Sequence, residues 1–220
     1  SPWGLRIEGR RQVTTGRAYR DGLIEVQDEG SQLVAGLVGA GPGFRVADLC
    51  AGAGGKTLAL AMTMQNRGQL VACDVAATRL AGAARRLRRA GVHNVEQHLL
   101  VPGDKWLKRC AGTFDRVLVD APCTGTGTWR RNPAARLRLT EALMAEFVPR
   151  QAAILDQAAP LVRAGGQLIY ATCSLLREEN EDQVAGFLAR HSGFSRGESL
   201  VLTPARHGTD GFFAAVLARR

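Results

Sequence analysis

Short apolar runs alternate with stretches of helical period along most of the chain, and this alternation limits the fold more than any other feature. "FRVADLC", "GQLVACDV", "NVEQHLL", "DRVLVD" and "GGQLIYATC" read as strands. Between the first three lie "KTLALAMTMQ" and "ATRLAGAARRLRRAG", with apolar residues at helical spacing; Gly91 stops the second. A helix is expected from Gln27, where acids come early and glycines close the run. A long helix is expected from about Glu141 to Val162, kinked or split in two by Pro149. The next opens on Glu178, Glu179, Glu181 and Asp182, acids that suit the positive end of its dipole. "SLVLTP" and "GFFAAVLAR" complete a set of seven strands. Strands joined by helices predict an α/β fold, a mostly parallel sheet covered on both faces. Such sheets bind ligands at the carboxyl ends of their strands, near the switch in strand order.

A chain of 220 residues suits one sizeable domain, able to bury roughly 70% of its unfolded surface. A basic segment, residues 1–25 with Arg6, Arg10, Arg11, Arg17 and Arg20, precedes the alternating region at 26–220. The chain opens on Ser1 rather than Met, which suits a trimmed chain or a fragment. No run approaches the roughly 20 apolar residues that span a bilayer, and no signal-peptide pattern is present. The five cysteines stand far apart without a C-x-x-C pair, so free thiols in the cytoplasm are expected rather than a zinc site or disulfides. Lys and Arg total 29 against 20 acids, a net charge of +9. That balance suits a polyanionic partner, and equally suits an arginine-rich composition with solvated basic faces.

"DLCAGAGGKT", Asp48 to Thr57, joins the first strand to the following helix, where glycines let the backbone approach a ligand beside free N–H groups. A P-loop would need glycine where Cys50 stands. A dinucleotide fingerprint fits Gly52 and Gly54 but meets Thr57 at its third glycine. S-adenosylmethionine is the third candidate. Asp74, ending the second strand, suits a ribose hydroxyl, although a dinucleotide's ribose would use a similar acid.

Asp120 and Cys123 close the fourth strand and Cys173 closes the fifth, so the sheet should bring them side by side. A lone cysteine there is usually a small buried apolar residue; two of them beside Asp120 and Pro122 weaken that reading. The set suits methylation of a pyrimidine at carbon 5. A thiolate adding at carbon 6 converts the ring to an enamine whose carbon 5 takes a methyl group. A carboxyl group at the ring nitrogen steadies the developing charge.

"DLCAGAGGKT", "DAPCTGTGTWRRNP", "YATCSLLREENEDQV" and "TPARHGTDGFFAAVLAR" closely resemble the RsmB/Fmu/Sun type of RNA cytosine carbon-5 methyltransferase, and "VQDEGSQLVA" resembles the helix leading into its catalytic domain. The resemblance covers nearly the whole chain after about Asp21. It implies a Rossmann-like class I S-adenosylmethionine-dependent methyltransferase fold over residues 26–220, with residues 1–25 as the remnant of an RNA-binding subdomain. It also implies S-adenosylmethionine as cofactor and an RNA substrate, ribosomal RNA above all, acted on by a cytoplasmic monomer without metal or membrane.

By the same resemblance Cys173 is the nucleophile and Cys123 assists product release. Asp120 contacts the cytosine edge, and Lys56 reaches the target nucleotide. Cys50, Ala51, Gly52, Ala53, Gly54, Gly55, Lys56, Asp74, Arg79, Asp120 and Pro122 line the cofactor. Ala53 replaces the family's usual proline. The family's adenine-holding acid is missing near Val101, which leaves Asp104, three residues further on, as the candidate.

Arg130 and Arg131 suit phosphates beside the target base, and Trp129 suits stacking on a nucleotide or packing as a lid. The arginines from Arg79 to Arg89 are read as solvating a helix face. His207 and Asp210 match the terminal motif without a chemical role. Two other functions share this fold: a non-catalytic RNA-binding or ribosome-assembly factor, and a small-molecule or protein methyltransferase. The intact Asp120, Cys123, Cys173 and glycine turn disfavour the first, and the paired cysteines with the basic surface disfavour the second.

Overall fold

The computed structural model describes residues 1–7, 9 and 11–220, so Arg10 of the basic segment lies outside the described residues. The helices are α1 (Arg17–Arg20), α2 (Glu29–Leu37), α3 (Gly55–Thr63), α4 (Ala77–Arg89), α5 (Lys105–Arg109), α6 (Glu141–Ala158), α7 (Glu181–Arg190) and α8 (Pro204–His207). The strands are β1 (Arg45–Asp48), β2 (Gln69–Asp74), β3 (Val95–Leu99), β4 (Phe114–Asp120), β5 (Val162–Thr172), β6 (Phe194–Leu202) and β7 (Phe212–Arg219). Local chemistry fixes several starts. The Asp28 side chain accepts the Gly30 N–H at 2.8 Å and caps α2, and Thr140 accepts the Leu143 N–H at 3.2 Å and caps α6.

The strands form one sheet in the order β3-β2-β1-β4-β5-β7-β6. Strands β1 to β5 pair in parallel; β7 runs antiparallel to both β5 and β6. Side chains alternate between two cores, as the period-2 pleat requires. Ala47, Val117, Val119, Leu168 and Tyr170 face α6 and α7, where they meet Leu155, Val184 and Phe187. Val46, Leu118, Ile169 and Ala171 face α2 and α3, where they meet Val34, Leu60 and Met64. The edge strand β3 is only partly covered, which explains its weak apolar signal.

The long helix corrects the expectation of a split at Pro149. It runs unbroken through Pro149 and ends at Ala158, with a 3-10 turn at Ala159–Leu161 and β5 starting at Val162. Pro149 and Ala145 are both exposed, so the carbonyl that loses its N–H partner is open to water. Pro160 stops the helix instead, because its ring and missing N–H oppose continuation.

The N-terminal segment packs on this domain. Glu25 pairs with Arg86 at 3.2 Å and with Arg89 at 2.5 Å, and the Arg89 guanidinium lies 3.7 Å from the centre of the Tyr19 ring. A Cβ on Gly22 would stand 1.8 Å from the Arg89 carbonyl oxygen, a contact only glycine permits. Two of the α4 arginines therefore hold chain rather than simply solvate a face.

Candidate active site

The strand order reverses between β1 and β4, and the carboxyl ends of β1, β2, β4 and β5 deliver Asp48, Asp74, Asp120 and Thr172-Cys173 to one rim. Lys56, in the first turn of α3, donates to Asp120 Oδ2 at 2.7 Å. It is 8% exposed, and its ammonium lies 5.4 Å from the centre of the Phe212 ring. Burial acts to lower its pKa, but the Asp120 carboxylate, joined by Asp48 and Cys173, raises it overall. Lys56 thus stays a cation in a nearly dry position.

Beneath this pair Asp48 is fully buried. Its Oδ2 accepts the Thr57 hydroxyl at 2.8 Å, and its Oδ1 has no partner among the described residues. Burial pushes its pKa up to about 7; the Thr57 bond opposes this, the Asp120 and Asp74 charges add to it, and Lys56 opposes it.

The two cysteines meet with their sulfurs 3.4 Å apart, both as free thiols. The hydrogen bond from Cys123 lowers the Cys173 pKa against burial and the Asp120 charge, and Lys56 assists. Cys123 is raised, by the same sulfur contact, by burial and by the Glu179 charge. Cys173 is therefore the more acidic thiol of the pair and Cys123 the less acidic. Burial raises Cys50 and Cys73, which removes both as nucleophiles at neutral pH.

Separate networks build the two cysteine turns. Around Cys173, the Thr172 hydroxyl donates to Asn180 Oδ1 at 2.6 Å, Asn180 Nδ2 donates to the Ser174 carbonyl at 3.0 Å, and the Leu175 N–H donates to Thr126 Oγ1 at 2.8 Å. The Gly127 N–H also binds the Cys173 carbonyl at 2.9 Å. Gly125, at φ +71°, brings the chain past Cys173; a Cβ there would stand 4.0 Å from Cys173 Sγ. Around Cys123, Glu179 accepts the Thr124 N–H, the Thr124 hydroxyl and a Gln151 N–H.

The glycine turn is built on left-handed backbone. Gly52 and Gly54 have φ of +55° and +81°, and a Cβ on Gly54 would meet Ala83 at 2.8 Å. Cys50 and Ala51 enter the turn, Gly55 opens α3, and the Ala53 carbonyl is held by Arg86 at 2.6 Å. Asp74 accepts the Gly52 N–H at 2.9 Å and the Ala76 N–H at 2.8 Å, leaving further lone pairs on both oxygens. Beside it Val75 and Val101 are exposed apolar side chains. Arg79 stands 4.0 Å from Asp74 and is largely exposed. Asp104 has both oxygens engaged: it caps α5 through the Trp106 N–H at 2.8 Å and takes His98 Nε2 at 2.6 Å. The Pro122 carbonyl accepts Gln151 at 2.9 Å.

The three residues expected to meet RNA flank the same loop. Trp129 is half-buried, with its Nε1 unpartnered among the described residues and the Arg136 guanidinium 5.9 Å from its ring centre. Arg131 pairs with the fully buried Asp210, and Arg130 reaches Asp210 at 3.4 Å and Asp28 at 3.8 Å. Both arginines remain about half exposed, at 53% and 58%. Asp210 thus acquires a role that its motif did not show, anchoring the arginines beside the site. Glu179, Gln151, Asn180 and Asp48 also went unassigned in the sequence. Asp48 stands inside the glycine motif "DLCAGAGGKT"; the burial of the other three gives no local signal.

Among the described residues no helix is long and apolar enough to cross a membrane, and no cluster of three or more His, Cys, Asp or Glu is placed to hold a metal. The strand order, the glycine turn and the acid ending β2 define the Rossmann-like fold of class I S-adenosylmethionine-dependent methyltransferases. Residues 41–218 match the family model described as 16S rRNA methyltransferase RsmB/F, and the chain belongs to that family. The chain is 36% identical over 225 residues to ribosomal RNA small subunit methyltransferase B of Erwinia tasmaniensis, covering 98% of this chain and 52% of that protein. The crystal structure of PH0851 superposes with a TM-score of 0.89 at 36% identity, over 95% of this chain and 50% of the other. NSun6 from Pyrococcus horikoshii with SFG gives a TM-score of 0.86 at 28% identity, over 96% and 56%. The chain spans about half the length of the curated relatives it matches.

Proposed function

We propose that this domain transfers a methyl group from S-adenosylmethionine to carbon 5 of a cytosine in ribosomal RNA, through a covalent bond between Cys173 and the base. The observation that carries the reading is the sulfur pair of Cys123 and Cys173, 3.4 Å apart, beside the Lys56–Asp120 ion pair. The membership of a 16S rRNA methyltransferase family supports the RNA substrate.

The residues present fit the cofactor. The positive-φ glycines open a cradle, Asp74 has free lone pairs for ribose hydroxyls, and Val75 and Val101 offer apolar surface to a purine. When bound, S-adenosylmethionine supplies an electrophilic methyl group on a sulfonium. The protein does the rest. The Cys173 thiolate adds its electron pair to carbon 6, which makes carbon 5 nucleophilic. Anionic Asp120 accepts from the exocyclic N4 amine of cytosine, an interaction that uracil's O4 acceptor lacks. Lys56, fixed by Asp120, sets its positive charge beside the ring as negative charge grows on it. After methyl transfer the carbon 5 proton leaves to a base, the electrons of that bond re-form the double bond, and Cys173 departs as thiolate. Cys123, in contact with Cys173, assists this release. Arg130 and Arg131 hold phosphates next to a base that must leave its stack.

The test uses labelled S-adenosylmethionine and 16S rRNA transcripts. The Cys173→Ala protein should transfer no label, and undiminished transfer would overturn the assignment. The position of the label, read by bisulfite mapping, should be carbon 5 of cytosine.

A further inference from the structure

Glu179 lies in a 3-10 turn, Arg177–Glu179, between the Cys173 turn and α7, and is completely buried. No cation pairs with it among the described residues. A buried carboxylate in that setting costs several kcal/mol unless hydrogen bonds replace water. Here the Cys123 turn supplies most of them. Glu179 Oε1 accepts the Thr124 N–H at 2.9 Å, and Oε2 accepts the Thr124 hydroxyl at 2.5 Å. Oε1 also accepts Gln151 Nε2 at 2.9 Å, and the same amide group donates to the Pro122 carbonyl at 2.9 Å. The carbonyl before Cys123 and the N–H after it are thus both held, directly or through Gln151, by one carboxylate. The Glu179 backbone is itself tethered: the Tyr170 hydroxyl, from β5, donates to the Glu179 main-chain carbonyl at 2.6 Å.

We propose that Glu179 is the positioning residue for Cys123, bracketing the Pro-Cys turn and keeping the Cys123 thiol on Cys173 as its hydrogen-bond donor. The inference rests on the assignment of Cys173 as nucleophile and Cys123 as its partner. The charges around the sulfurs are arranged to favour one direction of that bond. Cys173 faces Cys123, Asp120 and Lys56, with Arg131 further off. Cys123 faces Cys173, Glu179 and the Tyr170 phenol. The Glu179 charge raises Cys123, whereas at Cys173 the opposed charges of Asp120 and Lys56 act together and the contact from Cys123 lowers the thiol. The Glu179 charge and the sulfur contact thus make Cys123 the less acidic thiol and Cys173 the more acidic one. A neutral clamp would hold the turn but would not sort the two thiols.

The test is iodoacetamide alkylation of the folded chain between pH 5 and 9, without RNA or cofactor, read for each cysteine by mass spectrometry. In the parent protein Cys173 should react at lower pH than Cys123. Glu179→Gln should raise the Cys173 midpoint by about one pH unit and make Cys123 react faster. In a Cys123→Ala background, Glu179→Gln should leave the Cys173 midpoint where Cys123→Ala alone puts it. A Cys173 profile unmoved by Glu179→Gln, or moved equally far without Cys123, overturns the proposal. If circular dichroism shows Glu179→Gln unfolded, Thr124→Val decides: it removes one of the three bonds and should shift Cys173 in the same direction by less. An unmoved profile there is equally contrary. Because no methyl acceptor enters the assay, its failure is distinct from failure of the RNA methylation reading.

Discussion

The turns after β4 and β5 each end in a cysteine, but they are held by opposite chemistry. Neutral groups fix the Cys173 turn: Thr172 donates to Asn180, Asn180 to the Ser174 carbonyl and the Leu175 N–H to Thr126, and the charges acting on the sulfur are Asp120 and Lys56, with Arg131 further off. The Cys123 turn is fixed by a buried carboxylate on the side away from Lys56. Two chemically identical thiols in contact thereby become unequal. A fold can make two like thiols differ in this way, by placing charge beneath one loop and neutral groups beneath the other.

The largest effect expected from breaking this asymmetry is loss of the nucleophile. Cys173→Ala should lower methyl transfer by at least about a thousandfold, measured with labelled cofactor, whereas Cys123→Ala should halt the reaction at the protein–RNA adduct.

Next is the acid beneath the ion pair. The folded pKa of Asp48 lies near 7, above its ordinary value of 3.8, so the folded state holds the proton more tightly. Its stabilising contribution is complete below about pH 4 and falls as pH rises to about 7. Asp48→Asn, which keeps an acceptor for Thr57, should gain stability relative to the parent across that window, by up to about 4 kcal/mol. Urea unfolding of both proteins at pH 5 and pH 7.5 measures it; a constant difference would show that Asp48 ionises normally.

A smaller change sharpens the comparison from the neutral side. Asn180→Ala removes the amide that joins Thr172 to Ser174 and should cost about 1–3 kcal/mol in urea unfolding, with Cys173 activity reduced. Gly125→Ala, at φ +71° where the two turns approach, should cost about 1 kcal/mol.

Much of this was legible in the sequence because the signals are local. Apolar runs ending in Asp48, Asp74, Asp120 and Cys173 predict strands and the rim where their ends gather. The glycines of the cofactor turn announce backbone that no Cβ permits. What stayed hidden depends on residues that meet only after folding. Glu179 stands in a run of acids that reads as compensation for a helix dipole, yet it turns inward to the Cys123 loop. Gln151 reads as an ordinary polar position of a long helix. Arg130 and Arg131 read as free phosphate ligands, and only the folded chain shows Asp210 beneath them. Pro149 looked like the helix breaker because its solvent-facing placement cannot be read from one segment; Pro160 was the effective stop.

The asymmetry of the sulfurs is tested most directly by trapping the adduct. Parent protein, Cys123→Ala, Cys173→Ala and the double variant are incubated with S-adenosylmethionine and 16S rRNA transcript, then run on a denaturing gel. A slow-migrating protein–RNA band should accumulate in Cys123→Ala and be absent from Cys173→Ala and the double variant. A band that persists in Cys173→Ala and disappears in Cys123→Ala would reverse the two roles and contradict the account.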